Sequence, residues 1–262
     1  MPTDPTSFSL RDKVIVQFGG TGLLGRALVH ALGAAGATLV VATRNRASMA
    51  PIVAAEAAAG HDVLVDEVDI GAEGSILALR ERLLAAHGRV DGIVFNAVTR
   101  TMRSVADPIE NWEASMAVNS TGFFATVRAF GDAMAAKRAG SIVNIASMYG
   151  YVGMNPMLYE GTSMGAAPDY FFHKAGMINL TRWLAAHYGP QGVRVNVVSP
   201  GGIYNPDKPQ APQFLERYNK LTAFGRMADA AEIGGAVVFL LSDASTYVTG
   251  INLPVDGGYT AR

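Results

Sequence analysis

Short apolar runs alternate with longer amphipathic stretches along this chain, and that alternation decides the fold class. KVIVQF (13–18) reads as a strand and residues 23–36 as a helix. TLVVAT (38–43) reads as a strand, 46–60 as a helix despite Pro51, and 62–68 as a strand. A helix over about 72–87, the strand DGIVFNA (91–97), a long helical region from about 109 to 137 and the strand GSIVNIAS (140–147) follow. Then come a helix over about 170–188, a strand over 192–199, a helix near 229–241 and a last strand over 251–256. The early strands are continuous apolar runs, as expected of strands covered on both faces. Repeated β-α-β order implies right-handed crossovers and a parallel sheet. The expectation is α/β: a Rossmann-like, doubly wound parallel sheet of about seven strands with helices on both faces. No linker, low-complexity tract or repeat divides the chain. Its 262 residues are therefore read as a single domain, with residues 1–8 as a flexible tail.

Composition narrows the setting. Half the residues are hydrophobic and 16% are charged, which suits a large core or burial between subunits. A net charge of −1 lacks the electrostatic footprint of a nucleic-acid binder. With no cysteine there is no disulfide, thiolate nucleophile or cysteine metal ligand, which fits a reducing compartment. The five histidines show no metal-ligand spacing, so no metal is expected. The start, MPTDPTSFSL, has neither the basic nor the apolar region of a secretory signal. No apolar run approaches the roughly 20 residues of a membrane helix. The expected setting is the cytoplasm, with a small-molecule partner and neither nucleic acid nor membrane.

The first strand runs into GGTGLLGRA (19–27), which opens a helix. Glycines at 19, 22 and 25 allow a tight turn and close backbone approach to a pyrophosphate. The helix N-terminus then offers free N–H groups and partial positive charge. A plain β-α turn needs glycine too, but placement at the first β-α junction favours a dinucleotide. Gly19, Thr21, Gly22, Leu23, Leu24 and Gly25 are its expected contacts. The second strand ends in Thr43, Arg44 and Asn45, followed by Arg46, with no carboxylate to accept from a ribose 2′-hydroxyl. Two guanidiniums can meet a 2′-phosphate, so NADP(H) is favoured over NAD(H). The alternative is that both arginines merely solvate a loop. Asp69 and Ile70 end the third strand where an adenine could rest; Asp69 could equally cap the next helix.

These residues resemble the short-chain dehydrogenase/reductase family over about 10–258, with its motifs in family order. After the glycine loop, FNA (95–97) is similar to the family's Asn-Asn-Ala-Gly element, carrying over Asn96 and Ala97. VNSTGFF (118–124) resembles the helix that bears the active-site Asn, here Asn119. NIAS ends at Ser147, and YFFHK (170–174) is a Tyr-x-x-x-Lys. RVNVVSPGGI (194–203) resembles the Pro-Gly segment over the nicotinamide, implying contacts from Pro200, Gly201, Ile203 and Asn205. Residues 225–259 are close to the C-terminal pattern. Three positions depart. Phe18 replaces the usual Thr, Leu23 stands at the middle glycine, and FNAV replaces the Asn-Asn-Ala-Gly element. The chain is read as the classical branch with a variant loop. The resemblance implies an NAD(P)-dependent secondary-alcohol dehydrogenase or ketoreductase, assembled as a homotetramer or homodimer.

Within residues 147–176 four tyrosines follow Ser147, and chemistry selects among these four. A phenol with a free pKa near 10 is a poor base at neutral pH. A lysine one helical turn away shares its face and favours the phenolate. Only Tyr170 has one, Lys174; Tyr159 has Ser163 at that offset. Family spacing favours Tyr159, twelve residues after Ser147, whereas Tyr170 is twenty-three after it. The lysine decides for Tyr170, leaving 157–168 as an insertion. The resemblance then implies Tyr170 as general acid/base, Lys174 as its pKa partner and ribose contact, Ser147 as the group polarising the substrate oxygen, and Asn119 on a water-linked path to Lys174. The plainer roles are a surface pair for Tyr170 and Lys174, a turn for Ser147 and a kink or cap for Asn119.

The insertion lies between catalytic residues, so it should border the substrate. Tyr159, Glu160, Thr162 and Ser163, with Arg100 and Arg103 after the fourth strand, Tyr149 and Tyr204, favour a polar sugar- or polyol-like substrate. A packing or subunit-contact role for the insertion is the alternative. Met148, Met154, Met157 and Met164 read as apolar lining. Two other functions stay open: an epimerase or dehydratase with tightly held NAD, and a non-catalytic dinucleotide-binding regulator.

Overall fold

The computed structural model describes residues 6–261. Seven strands form one sheet: β1 (Val14–Phe18), β2 (Thr38–Thr43), β3 (Val63–Glu67), β4 (Gly92–Phe95), β5 (Gly140–Ile145), β6 (Val193–Pro200) and β7 (Asn252–Val255). Their order is β3-β2-β1-β4-β5-β6-β7, and every pairing is parallel. The order reverses between β1 and β4, where an open α/β sheet leaves its crevice.

Alternate residues of each strand feed two cores. Val16, Phe18, Val40, Ile93 and Phe95 pack beneath α3 (Glu73–His87), α5 (Phe123–Lys137) and α7 (Pro168–Tyr188). Ile15, Leu39, Val41, Val94 and Val143 pack beneath α1 (Leu23–Ala34) and α9 (Gly234–Leu241). Two covered faces explain why the sequence shows runs rather than alternation. No helix among the described residues is long and apolar enough to cross a membrane.

Several boundaries differ from the sequence expectation. The helix expected over 46–60 begins as a 3₁₀ turn, Arg46–Met49, and becomes α2 (Ala50–Ala58) with Pro51 in its first turn, where its missing N–H is harmless. The helix near 229–241 is likewise a 3₁₀ turn, Ala230–Ile233, before α9. The long helical region comprises α4 (Ile109–Met116), a π-turn over Ala117–Gly122 and then α5. A Cβ on Gly122 would stand 2.2 Å from the Ile70 carbonyl oxygen, so this widened turn admits the β3–α3 connection. Two helices were not anticipated: α6 (Pro156–Tyr159), a single turn, and α8 (Pro212–Leu221). Within the expected tail, residues 1–5 lie outside the described residues. The Ser7 carbonyl accepts from the Ala244 N–H, and the Phe8 ring lies 6.0 Å from that of Phe239 in α9.

Candidate active site

The C-terminal ends of the strands open into a cleft of about 1610 Å³. Gly19, Thr21, Gly22, Leu23, Leu24 and Gly25 line its floor. Gly19 has φ +86°, and a Cβ there would stand 2.8 Å from the Ala97 Cα, so only glycine lets the loop lie against the end of β4. α1 starts at Gly22 with no side-chain cap and no acidic residue in its first turn. Its N–H groups are therefore free for an anion in the cleft. Buried Gln17 holds the loop from beneath, donating to the Gly19 and Gly25 carbonyls at 3.1 and 2.9 Å. Asn96 donates to the Gly19 carbonyl from the other side, at 3.0 Å. Gln17 was missed because a polar residue inside a strand shows its partner only after folding.

The edge beyond β2 brings Thr43, Arg44 and Asn45 to the cleft. Neither the Arg44 nor the Arg46 side chain makes an ion pair or hydrogen bond among the described residues, and Arg46 does not line the cleft. Asn45 accepts from the Ala47 N–H at 3.0 Å, which orders the turn. Asp69 and Ile70 border the same end. Asp69 does not cap α3, whose N-cap is Ala72; its carboxylate accepts from the Gly71 N–H at 2.9 Å. An uncapped helix end, a glycine floor and the Arg44 guanidinium, unpaired among the described residues, fit a nicotinamide dinucleotide.

Ser147, Tyr170 and Lys174 line the inner part of the cleft with Pro200, Gly201, Ile203 and Asn205. Ser147 ends the β5 segment, where its hydroxyl accepts from the Tyr149 N–H at 3.2 Å. Tyr170 and Lys174 stand one turn apart on α7, the Lys174 Nζ 5.6 Å from the Tyr170 ring centroid. Lys174 is 4% exposed and donates to the Ile145 carbonyl at 2.6 Å. Burial, and then the nearby Arg100 guanidinium, push its ammonium down to about 7. The Arg100 guanidinium also lies over the Tyr170 ring, 5.4 Å from the centroid.

Asn119 lies behind the cleft lining rather than in it. Its oxygen accepts from the Thr99 N–H at 2.9 Å, and its nitrogen donates to the Thr99 carbonyl and the Ser115 hydroxyl, both at 2.9 Å. No hydrogen bond joins it directly to Lys174 among the described residues. Ser115 in turn donates to one Asp169 oxygen at 2.5 Å. Asp169 is 2% exposed and lines the cleft beside Tyr170, and its other oxygen, Oδ1, has no partner among the described residues. Sequence reading overlooked this carboxylate, although its place next to Tyr170 was a signal. His173, also buried, has both ring nitrogens unpartnered.

Residues 157–168 divide in two. The first part docks on α8. Leu158 is buried with Met148, Phe214, Tyr218 and Met227, and Arg217 donates to the Met157 and Glu160 carbonyls at 2.9 and 2.5 Å. The second part, Ser163–Ala167, lines the cleft with Tyr159, Tyr149, Arg100 and Arg103. Glu160 is exposed and outside the cleft, because α6 ends there and its carbonyl turns to Arg217. Tyr204 is also outside, on a separate surface depression with Leu215 and Arg226. Thr162 bonds back to the Tyr159 carbonyl. Met148 and Met164 line the cleft as expected; Met154 and Met157 are exposed instead.

The family model described as enoyl-(acyl carrier protein) reductase matches residues 22–260. The chain is 38% identical, over 96% of its length and 98% of the relative's, to 2,5-dichloro-2,5-cyclohexadiene-1,4-diol dehydrogenase of Sphingobium indicum. It is 33% identical, over 97% and 98%, to galactitol 2-dehydrogenase (L-tagatose-forming) of Cereibacter sphaeroides. Among solved structures, a gluconate 5-dehydrogenase from Burkholderia cenocepacia in complex with NADP and tartrate superposes with a TM-score of 0.88. That likeness has 26% identity and covers 98% of this chain and 99% of the other.

Proposed function

The chain belongs to the short-chain dehydrogenase/reductase family, and on that premise we propose that Tyr170 is its proton donor and acceptor and that its substrate is a polar, polyhydroxylated alcohol or the matching ketone. It is an NAD(P)-dependent oxidoreductase that interconverts a secondary alcohol and a ketone. A nicotinamide dinucleotide bound in the cleft supplies the hydride acceptor or donor. Tyr170 takes the hydroxyl proton during oxidation and returns it during reduction. Lys174 favours the Tyr170 phenolate while it is charged, and Ser147 donates to the substrate oxygen. Asn119 holds the Thr99 segment in place behind them.

The observation that carries this reading is the meeting of Tyr170, Lys174 and Ser147 with the glycine floor in one cleft. NADP(H) is favoured over NAD(H) because Arg44 borders the adenosine end unpaired and no carboxylate occupies the end of β2. The substrate class is supported by Arg100, Tyr149, Tyr159 and the unpartnered Asp169 oxygen, all at the inner end. It is also supported by galactitol and gluconate in the names of two similar proteins. The chain is read as one catalytic domain working in the cytoplasm as a homotetramer or homodimer. Exposed Phe124 on α5 and exposed Phe172 and Trp183 on α7 support association through those helices.

The test is a screen of sugars, polyols, sugar acids and simple cyclic alcohols with both cofactors, read as nicotinamide absorbance. Turnover of polyols with NADP+ above the others is expected. Turnover confined to apolar alcohols would overturn the substrate class, and equal efficiency with NAD+ would overturn the cofactor preference.

A further inference from the structure

Away from the cleft, three residues of successive segments converge. His30 lies on α1, Glu56 on α2, and His61 in the connection to β3. Both imidazoles turn Nδ1 toward the same carboxylate oxygen, Glu56 Oε2, at 3.2 Å from His30 and 2.8 Å from His61. His30 Nδ1 is also 3.3 Å from Oε1. One ligand atom from each residue lies within 4.8 Å of those from the others.

We propose that His30, Glu56 and His61 form a zinc site that ties α1 to α2. The ligand set is two imidazoles and one carboxylate, the borderline-soft nitrogen and oxygen donors that zinc accepts. With bonds near 2.0–2.1 Å, the edge of a zinc tetrahedron is about 3.4 Å. The His30–Glu56 separation already matches that edge, and the other pairs need adjustments of side-chain size. The frame beneath is firm: the His61 N–H donates to the Glu56 carbonyl at 2.9 Å, and Gly33 of α1 would carry its Cβ 3.0 Å from the His61 Cβ. The Glu56 side chain is 9% exposed, and among the described residues its basic partners are these two rings. A dication would offset the charge of this buried carboxylate directly. Moving the imidazole proton to Nε2 frees each Nδ1 lone pair with no net proton change. His30, with its side chain 60% exposed, leaves the fourth position open to water.

His30 is eight residues beyond Gly22, about 12 Å along the helix axis. The metal would therefore clamp the outer end of α1 rather than take part in catalysis. Metal-stripped protein should bind one zinc per chain in competition with a chelating dye. Cobalt(II) in its place should show the visible absorption of a four-coordinate ion. Zinc at 100 times its Kd should raise Tm by about 5 °C. His30→Ala, an exposed truncation, should fold and turn over normally yet bind zinc about 100-fold or more weakly. Glu56→Gln should do the same, and His87→Ala should bind like the wild type. No uptake at 100 µM zinc, on the order of the weakest affinity a structural clamp could use, would overturn the site. Equal affinity of wild type and His30→Ala would overturn it too.

Discussion

The hydroxyls of Tyr149 and Tyr159 share a hydrogen bond 2.6 Å long. Burial raises both phenols above their ordinary range, so neither is a base near neutrality. Tyr170 has the lysine and, among the described residues, no such hydroxyl partner. Tyr170→Phe should lower kcat at least about a thousandfold, matching roughly 4 kcal/mol of proton-transfer assistance. Dinucleotide affinity, read by fluorescence titration, should change less than about fivefold, since one hydroxyl contributes on the order of 1 kcal/mol or less. Tyr159→Phe should keep kcat within about tenfold, the scale of one neutral hydrogen bond. If instead Tyr159→Phe were dead and Tyr170→Phe active, the assignment would reverse.

Arg44 lines the cleft edge beyond β2, and its side chain makes no ion pair or hydrogen bond among the described residues. A charged hydrogen bond to a 2′-phosphate contributes about 1.5–3 kcal/mol, or roughly 10- to 150-fold. Arg44→Ala should raise the KM for NADPH by that factor and leave the KM for NADH within about twofold. Parallel initial-rate measurements with the two cofactors decide it, and equal shifts would refute the role.

Asp169 lines the cleft with one buried oxygen unpartnered among the described residues, while Ser115 occupies the other. Asp169→Asn keeps the size and an oxygen for Ser115 but replaces the free acceptor with an N–H group. For a polyol, kcat/KM should fall about tenfold or more, the cost of leaving a substrate hydroxyl unmatched. A cyclic alcohol with a single hydroxyl should lose much less. Equal losses on both would make Asp169 a support for α4 instead.

His173 is buried against Tyr170, and burial, then Lys174 and Arg100, push its imidazole down to about 3. The unfolded chain therefore takes up this proton first as pH falls below about 6.5. Stability from a neutral His173 is full above that pH and is lost progressively toward pH 3. Between pH 6.5 and 5 the loss should approach about 2 kcal/mol, at roughly 1.4 kcal/mol per unit. Urea midpoints should show His173→Phe flatter than wild type across this window; parallel curves would remove His173 as the cause.

The parts of the site that sequence disclosed are those encoded locally. A glycine loop at a β-α junction and a lysine four residues after a tyrosine are set by chain geometry alone. The strand runs were equally plain because both faces of the sheet are covered. What stayed hidden depends on partners far along the chain. Ser115 meets Asp169 across 54 residues, and Gln17 reveals its purpose only when α1 has packed over it. The separation of His30, Glu56 and His61 carries no ligand spacing, since three elements bring them together. Glu160 and Tyr204 were placed in the cleft because their neighbours are; the outward turns after α6 and β6 leave no mark on composition. For α8 a signal existed, Phe214 and Tyr218 four residues apart, but its short amphipathic stretch lies among prolines and polar residues.

The reversal of strand order between β1 and β4 has a consequence for how such a protein can change. Arg44, after β2, stands in one half of the sheet order, and Asp169 and Tyr170, in α7 beside β6, stand in the other. Residues without shared partners contribute to free energy almost additively. On the roles proposed for these residues, preference for a coenzyme and preference for a substrate are separate dials on one machine. Either can drift, or be retuned by substitution, without resetting the other.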